Sequence, residues 1–156
     1  MMTLMRLGHA PNPAVVPGGH FTDLQRAGAE LFRDRCESCH QARLASDDVA
    51  TRAPFGEWET LVLSENNPVV WGQAEYRQTG VVPYVHESGA RVPSLRRLYK
   101  KFPYFTNGSA KSLAELLGRA RFDGDQFWHD AAPEHPSQRK LAPAEIDSLR
   151  AFLDLL

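Results

Sequence analysis

Cys36-Glu37-Ser38-Cys39-His40 decides how this chain is read. Two thiols two residues apart, with a histidine directly after the second, form the C-x-x-C-H pattern through which a haem is attached covalently. Each thiol adds to one vinyl group on the same edge of the porphyrin, and the two-residue spacing lets both sulfurs reach that edge. The adjacent imidazole then meets the iron from one face. Covalent attachment keeps this ligand at high effective concentration, so a small domain retains one haem. The large apolar surface of the haem helps to order loops that would not pack alone. Other readings of the cysteines compete. A redox dithiol of thioredoxin type sits in a βαβ pattern, which is absent here. A zinc site needs further ligands at suitable spacing, and there is no third cysteine. A simple disulfide would not need the histidine.

The motif follows directly on an amphipathic stretch from Phe21 to Arg35. Thr22 and Gln25 have capping-box spacing, and Leu24, Ala27, Leu31, Phe32 and Arg35–Cys36 recur every three or four residues. Three further helices are expected. Ser94 to Lys100 carries Leu95, Leu98 and Tyr99 on one side. Ser112 to Arg121 has a second capping box, Ser112 and Glu115, over a stripe of Leu113, Leu116, Leu117 and Ala120. Pro143 to Leu155 begins with proline at the first helical position, where its missing N–H costs nothing, and lines Ile146, Leu149, Leu153 and Leu156 along one face. Between Gln41 and Pro93 no long period is visible, although a short helix fits Glu57–Leu63. A loop this long is unusual in a compact domain unless something other than side chains supplies part of the core. The expected class is therefore all-α: a cytochrome c-like domain of about four helices around one covalent haem, with long irregular loops.

The chain has 156 residues, 42% hydrophobic and 24% charged, an ordinary mix for one globular domain. Eighteen basic against nineteen acidic residues give a net charge of −1, which argues against a nucleic-acid partner held on a broad basic face. No apolar run reaches the roughly 20 residues of a membrane helix, so no integral membrane segment is expected. Residues 1–20 read as a flexible arm or linker, with three prolines and two glycines between Ala10 and Gly19, and residues 21–156 as the haem domain. The start shows no secretory signal. The chain is accordingly expected to be a segment of a longer exported polypeptide, or to carry a misassigned start.

The second axial ligand stays open. Methionine is the common choice in electron carriers, but Met1, Met2 and Met5 all lie in the arm. Histidine is the natural substitute, and the candidates after the motif are His86, His129 and His135. His129 follows Phe127-Trp128, aromatics able to wall a haem pocket, and is the expected iron ligand opposite His40. A water-bound or open iron position, or another residue as ligand, is the alternative.

Arg91-Val92-Pro93-Ser94-Leu95-Arg96-Arg97, then Pro103-Tyr104-Phe105-Thr106-Asn107-Gly108-Ser109, then Ser112-Leu113, resembles the electron-accepting C-terminal domain of the di-haem cytochrome c peroxidase family. The likeness covers roughly Phe21 to Leu156. It implies that Arg96 lies near a haem propionate, for which a guanidinium is well shaped. It implies that Pro93, Leu95, Tyr104 and Phe105 pack around the macrocycle. Asn107-Gly108 suits a tight turn with positive φ. The chain departs from the family pattern in three ways. Thr106 stands where the family has a histidine tied to reductive gating. The helix from Leu113 lacks the family's ligating methionine. No second C-x-x-C-H is present, so the peroxide-binding haem has no counterpart.

These observations make an electron-transfer domain the leading reading, rather than a complete peroxidase. Its partner would be a redox protein or a second haem domain. The alternatives are a stand-alone haem enzyme with an open iron position acting on peroxide or a small ligand, and a haem-free module with a dithiol or metal clip. The family likeness implies a periplasmic or otherwise extracytoplasmic location, where haem c is assembled.

Overall fold

The computed structural model describes residues 11–45, 51–72, 85–86, 89–90, 92–105, 107–124, 126–129 and 137–156. Thr22 opens the first helix as its spacing predicts. Its hydroxyl accepts the N–H of Gln25 at 3.2 Å and the Gln25 side chain accepts the N–H of Thr22 at 2.9 Å. Two donors that the first turn leaves without intrahelical partners are thereby satisfied. Helix α1 spans Asp23–Arg35 and buries Gly28, Ala29 and Phe32. Leu31 is half-buried, while Leu24 and Ala27, expected on the inner face, are exposed. The face is rotated because α1 docks through its smallest residue, which hydrophobicity does not mark.

Its partner is the last helix, packed against it from the other end of the chain. A Cβ built on Gly28 would lie 1.9 Å from the Ser148 carbonyl oxygen and 2.9 Å from Phe152 Cβ, so the two backbones touch there. Around this crossing sits an aromatic core. Phe32 meets Trp71 edge-on at 5.3 Å and Phe152 at 5.4 Å, and Trp58 meets Trp71 edge-on at 4.8 Å. Phe21 closes the cluster against Phe152 at 5.9 Å. Trp58 begins the short helix α2, Trp58–Val62, after a 3₁₀ turn over Phe55–Glu57, matching the expected short helix. Its indole N–H is satisfied by the Ala53 carbonyl at 3.0 Å.

Among its described residues the long loop is stitched rather than structureless. Ala53 N–H donates to Ala42 O at 2.7 Å, Val70 N–H to Arg43 O at 2.8 Å and Gly72 N–H to Gln41 O at 3.0 Å. Strands β1, Val85–His86, and β2, Gly89–Ala90, form a small antiparallel hairpin. The helix expected over Ser94–Lys100 reduces to a 3₁₀ turn at Leu98–Lys100. Leu95 N–H is spent on Trp71 O, the Ser94 hydroxyl is spent on Val70 O, and Arg97 sits at φ 61° in the left-handed region. A helix cannot run through such a residue.

Helix α3 spans Leu113–Gly118 and ends earlier than expected. The Ser112 hydroxyl caps it by accepting Glu115 N–H at 3.1 Å, but the Glu115 carboxylate accepts from Lys111 N–H instead of closing the box. Arg121 has already entered a strand. Strands β3 (Arg121–Asp123), β4 (Gln126–Trp128) and β5 (Arg139–Lys140) form an antiparallel sheet in the order β4-β3-β5. The all-α expectation is corrected accordingly: helices dominate, but this sheet sits beside them. Phe122 anchors it. Its ring stacks on Phe127 at 6.0 Å and lies under the guanidinium groups of Arg35 and Arg139 at 5.1 and 4.4 Å.

The last helix, α4, spans Pro143–Leu153 with proline at its start, as expected. Glu145 accepts Ala142 N–H at 2.7 Å and clamps Arg139 through two 3.0 Å bonds, tying α4 to β5. Gly108 takes φ 65° in the turn read from Asn107-Gly108. Of the segment expected as an arm, Asn12 donates to Asp154 O at 2.8 Å and Gly18 N–H to Leu63 O at 3.3 Å.

Candidate functional site

The helical hydrogen bonding of α1 carries on past Arg35. Cys36 N–H donates to Phe32 O at 2.8 Å, and the Cys36 carbonyl then accepts from both Cys39 N–H (3.1 Å) and His40 N–H (2.8 Å). In such a turn residues i, i+3 and i+4 share one side. Cys36, Cys39 and His40 therefore face the same way. Glu37 fixes the opposite side, accepting Ala42 N–H at 3.3 Å and pairing with Arg52 at 2.9 Å.

The electrostatics separate the competing readings of the thiols. Burial, reinforced by the neighbouring Cys39 and opposed by Arg35, pushes the Cys36 thiol up to about 12. Redox dithiols work by lowering a thiol so that it ionises near neutrality. Cys36 is held in the opposite direction. Among the described residues, no three His, Cys, Asp or Glu side chains converge on one point as a zinc site requires.

His40 is 7% exposed and pushed down to about 4, by burial first and then by His129. The carbonyls of Trp71 and Pro93 work against that shift, although Nδ1 completes no hydrogen bond of ordinary geometry. The ring is neutral at pH 7, the state a metal ligand needs. His129 follows β4 directly. Solvent reaches its surface, yet surrounding protein lowers its pKa by burial as well. Its ring lies 6.0 Å from that of His40 and 5.0 Å from Phe127. Phe127 stacks on Phe122, so the sheet that periodicity did not announce is what sets His129 opposite His40. Of the other two candidates, His86 is placed by its backbone alone, in β1, and His135 lies outside the described residues, as does Thr106.

The structure brings part of the expected pocket together. The Pro93 carbonyl faces His40, and half-buried Leu95 packs on the core. Arg96 donates from Nη2 to Asn66 O at 3.4 Å, while its buried Nε has no partner. Tyr104 and Phe105 are half-buried, with ring contacts to Phe102 at 6.5 Å and to the Arg119 guanidinium at 5.6 Å respectively. Two residues were missed by sequence reasoning. Trp71 is fully buried with an unpartnered indole N–H, and Arg43, 2% exposed, donates to Gly72 O at 2.7 Å. An aromatic in a loop and an arginine in a loop carry no sequence signal for either role.

These residues fit the group that the motif implies. Two thiols and an imidazole share one face. A second neutral imidazole stands across from the first, at a separation close to two metal–nitrogen bonds of about 2 Å each plus two ring radii of about 1 Å. The unpartnered donors of Trp71 and Arg96 suit the carboxylates of a porphyrin, since a buried donor left unpaired is costly. The family model described as Cytochrome c matches residues 25–156. Neither the comparison with curated proteins nor that with solved structures gave a match.

Proposed function

The chain belongs to the cytochrome c family, and from that premise we propose that it is a one-electron carrier whose iron is held between His40 and His129. Members of the family carry haem c covalently and transfer electrons. Haem c supplies the redox step, its iron alternating between ferric and ferrous. The remaining work falls to this chain's own residues. Cys36 and Cys39 each add S–H across a vinyl group, giving two thioethers and fixing one haem. His40 is the permanent ligand, locked to the motif by its backbone bond to Cys36. His129 is the opposite ligand, supported by its 6.0 Å approach to His40 and its neutral state at pH 7. His40 and His129 together would hold the iron and leave no protein-free position for a substrate, so the bound haem would supply outer-sphere electron transfer. Trp71 and Arg96 would donate to the propionates and stabilise their charge.

Within the family, the stretches Arg91–Arg97 and Pro103–Ser109 support kinship with the electron-accepting domain of di-haem peroxidase-like proteins, acting outside the cytoplasm beside a redox partner or second haem domain. The observation that carries the reading is the pairing of His40 with His129 over a turn that aligns both thiols. Matured protein should show a pyridine haemochrome of haem c and the added mass of one haem. His129→Ala should convert a low-spin spectrum to high-spin. An unchanged low-spin spectrum would place the ligand elsewhere. A high-spin wild-type protein that takes up peroxide would favour the stand-alone enzyme.

A further inference from the structure

Between Ser88 and Ala114 lie six basic residues, Arg91, Arg96, Arg97, Lys100, Lys101 and Lys111, and no acidic one, in a chain whose net charge is −1. Elsewhere several cations are neutralised by neighbouring carboxylates. Arg26 pairs with Glu59 at 2.6 Å, Arg33 with Asp34 at 2.7 Å, Arg52 with Glu37 at 2.9 Å and Arg139 with Glu145 at 3.0 Å. Arg97, Lys100 and Lys101 are exposed, and among the described residues none of them has a carboxylate within ion-pair distance. Beside them Phe102 is 61% exposed, one of the largest apolar side chains left in solvent. Partial burial and the charge of Arg97 together pull the Lys101 amine below its ordinary range, a sign of like charges held close without a counter-charge.

This face adjoins the proposed iron ligand. Lys101 Nζ donates to the Ser94 carbonyl at 2.5 Å, and Ser94 follows Pro93, whose own carbonyl faces His40. Uncompensated positive charge raises the encounter rate with a negative partner, and an exposed aromatic gives a docked complex an apolar anchor. We propose that Arg97, Lys100, Lys101 and Phe102 form the docking face for an acidic redox protein, which exchanges its electron through the neighbouring haem edge. The proposal rests on the electron-transfer reading above. An acidic protein is favoured over a lipid surface because the cations and an exposed aromatic lie in the segment that reaches His40 through Ser94 and Pro93, where a partner must come close for electron exchange.

The test uses reduced holoprotein in a stopped-flow instrument with two oxidants, each taking one electron from ferrous haem. One is the acidic copper protein plastocyanin and the other the small trication tris(phenanthroline)cobalt(III). The plastocyanin rate should fall about tenfold as salt shortens the Debye length from about 30 to about 8 Å. At low salt the triple variant R97Q/K100Q/K101Q should lose a similar factor with plastocyanin and none with the cobalt complex. Phe102→Ser should slow plastocyanin alone. A low-spin spectrum like that of the wild type establishes that the variants are folded. The proposal is overturned if the distant triple variant R26Q/R33Q/R150Q slows plastocyanin equally, or if the face variants change nothing. It is also overturned if they release the protein from phosphatidylglycerol vesicles while the plastocyanin rate holds. Absence of covalent haem, or inertness to both oxidants, would defeat the electron-transfer reading itself and is distinct from all of these.

Discussion

Gly28→Ala is the substitution for which the structure gives the sharpest expectation. At an exposed helical site the same change stabilises by about 1 kcal/mol, because alanine is the better helix former. Here the added methyl would begin 1.9 Å from the Ser148 carbonyl oxygen, and contacts under 3.0 Å are essentially never found. Helices α1 and α4 must separate by about 1 Å. The rest of the interface, Phe32 against Phe152 at 5.4 Å and Leu149 beside them, loses its fit as they do. Overpacking of this kind costs typically about 1–3 kcal/mol. A clash with main chain belongs at the upper end, leaving a net loss of about 2 kcal/mol. For a chain of this size that lowers Tm by about 4–8 °C. The assay is denaturant and thermal unfolding of the matured protein, followed by far-UV circular dichroism. Adding Ser148→Gly should not rescue the variant, since the obstacle is a carbonyl that every residue possesses. Stability equal to or above wild type, or rescue by Ser148→Gly, would refute the close backbone crossing.

Phe152→Ala removes the ring shared by Phe21, Phe32, Trp58 and Trp71 and should cost about 3–5 kcal/mol in chemical denaturation. Glu59 accepts from Phe21 N–H and His20 and pairs with Arg26; these contacts hold its carboxyl below the ordinary 4.5. A depressed carboxyl stabilises the fold fully above its unfolded value, and that contribution disappears as pH falls through the folded one. Glu59→Gln should therefore cost about 1 kcal/mol at pH 7, and the gap to wild type should close in acid, as read from unfolding midpoints between pH 7 and pH 3. Trp71→Phe and Arg96→Gln each remove a donor that lacks a protein partner, leaving more uncompensated negative charge by the iron. Both should lower the midpoint potential in a redox titration, and an unchanged potential in both would exclude them from propionate binding.

Much of the helical frame is legible from local chemistry. Thr22 with Gln25, Pro143, and Asn107-Gly108 state their roles through interactions that close within a few residues. The motif itself announces the shared face of Cys36, Cys39 and His40 because a single turn carries all three. What escaped depends on contacts between distant residues. No alternation long enough to mark a strand exists in Arg121–Asp123, and pairing of Phe122 with Phe127 and Arg139 makes those residues a sheet. The inner face of α1 differs from the expected one because Gly28 contributes nothing to a hydrophobic period yet sits where the backbones of α1 and α4 touch. Ser94–Lys100 has a helical pattern, but its backbone donors answer to Trp71 and its own left-handed Arg97. His129 was read from the chemistry of the residue and the want of a downstream methionine. Its position opposite His40 depends on a sheet that no local pattern reveals.

The two halves of this molecule are built on different timescales. The thioether-forming turn is complete within five consecutive residues, whereas the crossing at Gly28 needs a helix far along the chain, and Asn12 reaches Asp154 across 142 positions. Closing so large a ring of chain is slow relative to forming one turn. Addition of the two thiols to a haem therefore does not require the long-range core to be in place. A tethered porphyrin can then nucleate collapse instead of having to enter a finished interior.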